Sequence, residues 1–329
     1  MDNEMPRGAS PEISIVLIAS DRYGSLKMTM ARLREQTIHD AIEVVIVALS
    51  PGDIEVDPAD RAVFHSLRVV PHRGAKLLAH SATTGVRNAT APFVALIEDH
   101  CYPEPEWAEA LLLRHRAGYA VVGAEIGNAN PHSAISWCSF LLTLGAWAPP
   151  AEAGEVTSVA AHNSSYVRET LLRLGEDLDI LMVSETLLHW RLRELGHRVF
   201  LEPKAKAIHV NPSRLTTFIY VRFFGARAFA GLWSRDWPWS RRLYFAAMAP
   251  LAEFKRIVGV IQEVQVRQTP VRRTRLIPLL LMAWLLASAG YTLSYLFGAG
   301  GSLSFASRLY FNRTRTLSAS DVRRGLLSP

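Results

Sequence analysis

The chain has 329 residues, 49% of them apolar and only two of them cysteine, Cys101 and Cys138. That allows one large domain, or a domain with an appendage, and excludes a disulfide framework; two thiols fit a reducing compartment. The net charge of +6 is divided unevenly, with 17 basic against 26 acidic side chains in residues 1–202 and 19 against 4 in residues 203–329, so the C-terminal part suits an anionic partner, either nucleic acid or lipid.

The opening MDNEMPRG is polar and lacks the apolar run of a secretory signal. Residues 1–12 read as a tail. Ile13 to Ala19 is a continuous β-branched run, the pattern of a strand buried on both faces. Leu26 to Gln36 has helical spacing, with Leu26, Met30 and Leu33 on one face. Glu43 to Leu49 is a second buried strand and Ser66 to Val70 a third. A helix over 77–89 leads to a strand over Pro92 to Ile97, and a helix over Glu106 to Arg116 starts near Pro103 and Pro105. Tyr119 to Glu125 is a further strand. Strands alternating with helices predict an α/β fold with a mostly parallel sheet covered on both faces, which binds ligands at the carboxyl ends of its strands.

Beyond Ser133 the pattern loosens. Helices are expected over 135–147, 166–174 and 183–195, the last stopping at Gly196. Strands are expected over 156–161, 198–202 and 205–210. From Leu215 the character changes. Phe218 to Phe245 holds ten aromatics mixed with Arg222, Arg227, Arg235, Arg241 and Arg242, which suits a membrane–water interface. Residues 276–307 carry no charge, and the apolar heart over 279–297 is near the ~20 residues that span a bilayer. Basic residues stand on both sides of it: Arg272, Arg273 and Arg275 before, Arg308, Arg313 and Arg315 after. Gly290 and the glycine-rich turn at 298–301 also allow an in-plane or re-entrant pair, so three arrangements stay open: monotopic, spanning, or a buried core helix. Each makes residues 213–329 a basic, aromatic membrane-association region. Nucleic acid is the weaker partner, because the neighbouring segment is apolar.

The strongest chemical signal is Glu98-Asp99-His100, three potential metal ligands at the abrupt end of a buried strand. Alternate residues of an extended segment point the same way, so Glu98 and His100 can converge on one ion. Carboxylate with imidazole suits Mn²⁺, with Mg²⁺ favoured only where more oxygens join. The alternative is a solvated acidic turn. No Gly-x-Gly-x-x-Gly follows the first strand, where Ser20-Asp21-Arg22-Tyr23-Gly24 stands instead, which disfavours a dinucleotide-binding enzyme.

With Ala91 to Ile97 leading into Glu98-Asp99-His100, Tyr102-Pro103-Glu104-Pro105-Glu106-Trp107 following, and Leu33-Arg34-Glu35-Gln36-Thr37 closing the first helix, residues 13–212 resemble the inverting nucleotide-sugar glycosyltransferases of family 2, which have the GT-A fold. The family's metal motif is Asp-x-Asp, so Glu98 and His100 are substitutions within it. The resemblance implies that Glu98 lies near ribose and metal, that His100 binds the metal beside the diphosphate, and that His209, at the end of a later strand, closes over both; otherwise His209 is structural. It places Asp21, Arg22, Ser50, Lys76, Glu98 and Asp99 on the nucleotide-sugar side, and His162 and Asn163 on the acceptor side, where Ser164 or Ser165 could instead cap a helix. It makes Glu185, from a Glu-Asp pair whose second member is Thr186 here, the general base that takes the acceptor proton; otherwise Glu185 merely favours a helix N-terminus. Glu185 and His189 also form an i, i+4 pair that could hold a metal, unless His189 faces solvent.

The chain departs from the family at Ala48-Leu49-Ser50, where an Asp usually holds the base, and at Ala82-Thr83, where an Arg-Asn is usual. The donor is therefore open among UDP, GDP and dTDP sugars, with a divalent metal as cofactor. The processive Gln-x-x-Arg-Trp signature is absent, which implies one sugar per encounter. The implied activity is sugar transfer to a lipid-linked or glycan acceptor on the cytoplasmic face of the membrane. The competing reading is a catalytically silent glycosyltransferase-like scaffold or binding protein.

Overall fold

The computed structural model describes residues 10–19, 23–48, 54–72, 77–160, 162–266, 270–305 and 316–324. Its centre is one curled mixed sheet in the order β3-β2-β1-β4-β8-β6-β9-β5. The strands are β1 (Ile13–Ala19), β2 (Ile42–Ala48), β3 (Ser66–Pro71), β4 (Phe93–Ile97), β5 (Cys101–Pro103), β6 (Val121–Asn128), β7 (Gly154–Glu155), β8 (Asn163–Val167) and β9 (Val199–His209). The first half of the sheet is parallel as expected, β3 through β4. The second half is mixed, because β8 runs antiparallel to both β4 and β6 while β9 runs parallel to β6. The α/β class thus holds, with a mixed rather than a mostly parallel sheet.

Alternation divides the core between the two faces. Ile13, Ile15 and Leu17 of β1, with Ile42, Val44 and Ile46 of β2, pack on one side; Val16, Val45 and Val47 pack on the other. The first side is covered by α1 (Lys27–Arg34), α4 (Trp107–Arg116) and α5 (Ala134–Thr143); the second by α3 (Leu78–Asn88), a helix at Asp177–Leu181 and α8 (Glu185–Glu194). Each such aliphatic side chain stabilises the fold by roughly 1.5–3 kcal/mol relative to exposure. A buried carboxylate, Glu43, ties strands to loops. It accepts from Ser14 Oγ, from Thr90 N–H at 2.7 Å and from Arg68 at 2.6 Å. Burial works to raise its pKa, but those donors outweigh it and hold the carboxyl below its ordinary range.

Four expectations differ. Among the described residues of 156–161 no strand forms, and the helix expected from Tyr166 starts only at Arg168, because Tyr166 and Val167 belong to β8, whose Ser164 and Ser165 are buried. The two strands expected around Pro203 are the single strand β9, with a register shift opposite Ala124 and Glu125. The helix expected over 135–147 ends at Thr143 and continues only as a tight turn, Gly145–Trp147. The stop at Gly196 is as expected, with φ +85°.

C-terminal to β9, three long helices follow: α9 (Leu215–Trp233), α10 (Trp239–Val266) and α11 (Arg273–Phe297). They are not separate from the sheet's core. Phe218, Ile257, Leu276, Leu280 and Ala283 belong to the same apolar cluster as Cys138 and Phe140 of α5. Gly290 does not break α11; it lets α11 approach α9, since a Cβ there would lie 2.4 Å from the Phe223 carbonyl oxygen. Among the described residues, α11 alone is long and apolar enough to cross a membrane, and a third of its most apolar window is buried.

Candidate active site

Glu98 follows the carboxyl end of β4, and His209 ends β9. Two strands separate β4 from β9 in the sheet. The turn at 98–100 closes that gap, because the chain crosses the strand ends into β5, which pairs antiparallel with β9 and sets Cys101 opposite His209. Thr29 on α1 anchors the turn by donating its hydroxyl to the Asp99 carbonyl at 3.0 Å. Gln36, buried at the end of α1, anchors the following loop: its Nε2 donates to the Glu104 carbonyl at 2.8 Å, and its Oε1 accepts from Ala108 N–H at 2.9 Å.

Glu98, His100 and His209 therefore meet, with one ligand atom from each lying within 4.8 Å of the others. His209 Nε2 is 3.0 Å and His100 Nε2 3.7 Å from Glu98 Oε2. The two rings stand 4.4 Å apart, edge to face. Each imidazole uses its other nitrogen for support. His100 Nδ1 faces Asp99 Oδ1 at 2.9 Å, and His209 Nδ1 faces Asn211 Oδ1 at 3.0 Å. Both partners are acceptors, which favours the tautomer with the proton on Nδ1, and in that neutral tautomer each ring presents an Nε2 lone pair toward Glu98. Three acceptors facing one another need a positive species between them, a proton or a cation. Two imidazoles and a carboxylate, oriented by outer hydrogen bonds, are a donor set that fits a divalent transition metal better than Mg²⁺.

Asn211 is itself held. Its Nδ2 donates to Asn128 Oδ1 at 3.0 Å, its N–H donates to Asn130 Oδ1 at 2.8 Å, and Ser136 Oγ donates to Asn130 Oδ1 at 2.8 Å. This polar cluster lies at the carboxyl ends of β6 and β9. Sequence reasoning did not single it out; the Asn two residues after His209 is its only local trace. Cys101, buried beside the turn, has its thiol pKa pushed well up by burial and by Glu98. It is an inert packing thiol rather than a thiolate ligand.

A cavity of about 490 Å³ contains Glu98, His100 and His209, and Ser184, Thr186 and His162 also line it. Glu185 is the first residue of α8 and sits between two of these lining residues, with Ser184 as the N-cap; its side chain is not among those described. Asn163 is buried on β8 opposite Ile97, with its Oδ1 unpaired. Asp99 is buried and turned to His100. Asp21, Arg22, Ser50 and Lys76 lie outside the described residues. His189 does not face solvent. It is fully buried, Nδ1 accepts from Val159 N–H at 3.4 Å and Nε2 lies 3.0 Å from the Tyr166 hydroxyl. Both nitrogens are engaged, so His189 is not open to pair with Glu185 on a metal. Burial lowers its pKa to about 3. His115 is a second such group: burial lowers its pKa to about 4, while Nδ1–H donates to the Tyr119 carbonyl at 2.8 Å and Nε2 faces Ser165 Oγ at 2.7 Å.

Residues 14–139, which include β1 to β6 and the Glu98 turn, match the family described as Glycosyl transferase family 2. This part of the chain resembles a family 2 glycosyltransferase domain. Solved structures similar to the glycosyltransferase include a mannosyltransferase from Pyrobaculum calidifontis, PcManGT, in complex with GDP-Man and Mn²⁺. That likeness has 15% identity and a TM-score of 0.47, over 94% of this chain and 84% of that one. Another is TarS of S. aureus, with 16% identity and a TM-score of 0.44, over 87% of this chain and 55% of that one. No curated protein matches the glycosyltransferase. The family match supports sugar transfer from a nucleotide sugar, and the three converging ligands lie close enough together to hold a divalent metal.

Proposed function

We propose that the chain is an inverting glycosyltransferase that passes one sugar from a nucleoside-diphosphate donor to an acceptor hydroxyl at a membrane surface. The observation that carries this reading is the convergence of Glu98, His100 and His209 at the strand ends, in the same cavity that the N-terminus of α8 borders. The sugar donor's diphosphate would lie against the Glu98 and His209 side. A divalent cation held by these three residues, Mn²⁺ by their chemistry, would neutralise charge growing on the leaving diphosphate. Asp99 and Asn211 keep both imidazoles in the ligating tautomer. Glu185, at the first turn of α8, would take the proton of the acceptor hydroxyl as it attacks the anomeric carbon from the face opposite the nucleotide. One base and one displacement invert that centre. His162 borders the cavity where an acceptor would enter, and Asn163 is buried beside it.

Membrane attachment is supported by the outward side of the C-terminal helices. Ile277, Leu281, Leu285 and Leu293 recur along α11 with large exposed area, as do Leu251, Phe254 and Val258 along α10. Arg241 lies over the Trp237 ring at 4.0 Å and Arg242 over the Trp239 ring at 5.8 Å, pairs that suit a headgroup layer. We place this surface on the cytoplasmic leaflet, where nucleotide sugars are available, and take residues 13–212 as the transferase domain and 213–329 as the membrane-associated part. The test is a screen of UDP, GDP and dTDP sugars with Mn²⁺ for nucleoside diphosphate release. One donor is expected to be turned over, with at least 100-fold loss in Glu185→Gln; turnover that survives this change removes Glu185 from the base role.

A further inference from the structure

The cavity at Glu98 does not end at the strand tips. It continues between the C-terminal helices, where Phe218, Val221, Phe229 and Leu232 of α9 form an apolar wall. Two arginines, Arg222 of α9 and Arg256 of α10, line the same stretch. One carboxylate, Glu253 of α10, is shared between them and is 3% exposed. Arg256 takes most of it, donating through Nε at 2.9 Å and Nη2 at 2.5 Å, and gives Nη1 to the Leu142 carbonyl at 3.0 Å. Among the described residues, Arg222, 11% exposed, makes a long ion pair with Glu253 at 3.6 Å, and its Nε is buried without a hydrogen-bond partner. Two guanidiniums against one carboxylate leave one uncompensated positive charge in an apolar wall. Buried charge is retained where it is paired, and a guanidinium with an unused N–H donor is built to receive an oxyanion.

We infer that Arg222 and Arg256 form a subsite for an anionic amphiphile, whose phosphate or carboxylate head sits on Arg222 and whose apolar chain lies along Phe229 and Leu232. Resting on the proposed transfer activity, this ligand is an acceptor lipid drawn from the lipid side, whose anionic group is held on Arg222 and whose separate hydroxyl is presented to the strand-end site. Gly225 lines the same channel, and a Cβ there would meet open space. A bulky side chain at 225 therefore has room to extend into the channel while both arginines are kept.

The test is equilibrium binding of dodecyl phosphate, dodecanoate and dodecanol to the full chain in neutral detergent. The anions are expected to bind at least tenfold tighter than dodecanol, and the tighter of the two identifies the head group. Arg222→Met is expected to reduce the anions to the level of dodecanol. Gly225→Leu, which keeps the arginine and improves helix propensity, is expected to weaken all three. Dodecanol binding as tightly as the anions, anion preference surviving Arg222→Met, or Gly225→Leu leaving all three unchanged would each overturn the subsite. Thermal shift with nucleoside diphosphate and Mn²⁺ on the same wild-type sample separates the two readings. Its absence counts against the transfer site alone, and loss of the anion preference counts against the subsite alone.

Discussion

His115 and His189 make the fold acid-sensitive because burial keeps both rings neutral. Both are buried and neutral, with pKa values lowered by burial to about 4 and about 3. An unfolded histidine titrates near 6.5. Between those values the unfolded chain binds more protons than the folded one, so stability is full above about pH 7, falls as pH drops through 6.5, and stops falling below the folded pKa. At pH 5 each group removes about 2 kcal/mol relative to pH 8, from roughly 1.36 kcal/mol per pH unit, and the pair removes about 4. His189→Phe keeps a ring in the pocket beside Tyr166 but cannot bind a proton. It costs stability at every pH by leaving Val159 N–H and the Tyr166 hydroxyl without their partner. Its pH dependence is expected to fall by about 2 kcal/mol relative to the wild type over the same range. The assay is urea unfolding in neutral detergent with EDTA at pH 8 and pH 5. A variant whose stability changes between these pH values as much as the wild type does would refute the buried, neutral assignment of His189.

Two packing predictions follow from single contacts. Gln36→Ala leaves Ala108 N–H unpaired and removes one of two donors from the Glu104 carbonyl, which keeps Trp107 N–H, and is expected to destabilise by about 1–3 kcal/mol, read as a lower urea midpoint; an unchanged midpoint would mean that the loop after β5 does not depend on α1. Gly290→Val drives a Cβ to 2.4 Å from the Phe223 carbonyl oxygen and 3.1 Å from Ala226 Cβ. A loss of about 1–3 kcal/mol or more is expected, and a melting temperature equal to the wild type would show that α9 and α11 are not in contact there. In the site, Asn211→Ala removes the partner of His209 Nδ1 and is expected to weaken Mn²⁺ binding by about 10–100-fold with little change in fold; calorimetric titration showing unchanged affinity would refute the orienting role.

The elements that sequence made legible are those whose neighbours do not matter. β1, β2 and β4 are continuous apolar runs because both of their faces are covered, and Gly196 stops α8 because its φ is positive. What escaped depends on distant partners. Asn163 to Val167 reads as a polar helix start, but Ser164 gives its hydroxyl to the Ala160 carbonyl and Ser165 pairs with His115, so both serines are satisfied inside a strand. β5 is three residues long and exists because β9, a hundred residues later, lies beside it. Pro203 suggested two strands where a local irregularity keeps one. In the site, the local pair Glu98 and His100 is readable from alternation, whereas His209 entered through family resemblance and Asn211 not at all. Nothing in sequence ties Arg222 to Glu253, 31 positions on, because that pairing belongs to the packing of α9 against its neighbours.

The claim on which the account depends is that Glu98, His100 and His209 jointly hold one divalent cation. Mn²⁺ electron paramagnetic resonance on the full chain measures this without a donor or an acceptor. One bound Mn²⁺ per chain is expected, reduced at least tenfold in affinity by His209→Ala and by Glu98→Gln, each checked for an unchanged unfolding midpoint. No specific Mn²⁺ in the wild type, or equal affinity in a folded His209→Ala variant, would contradict it.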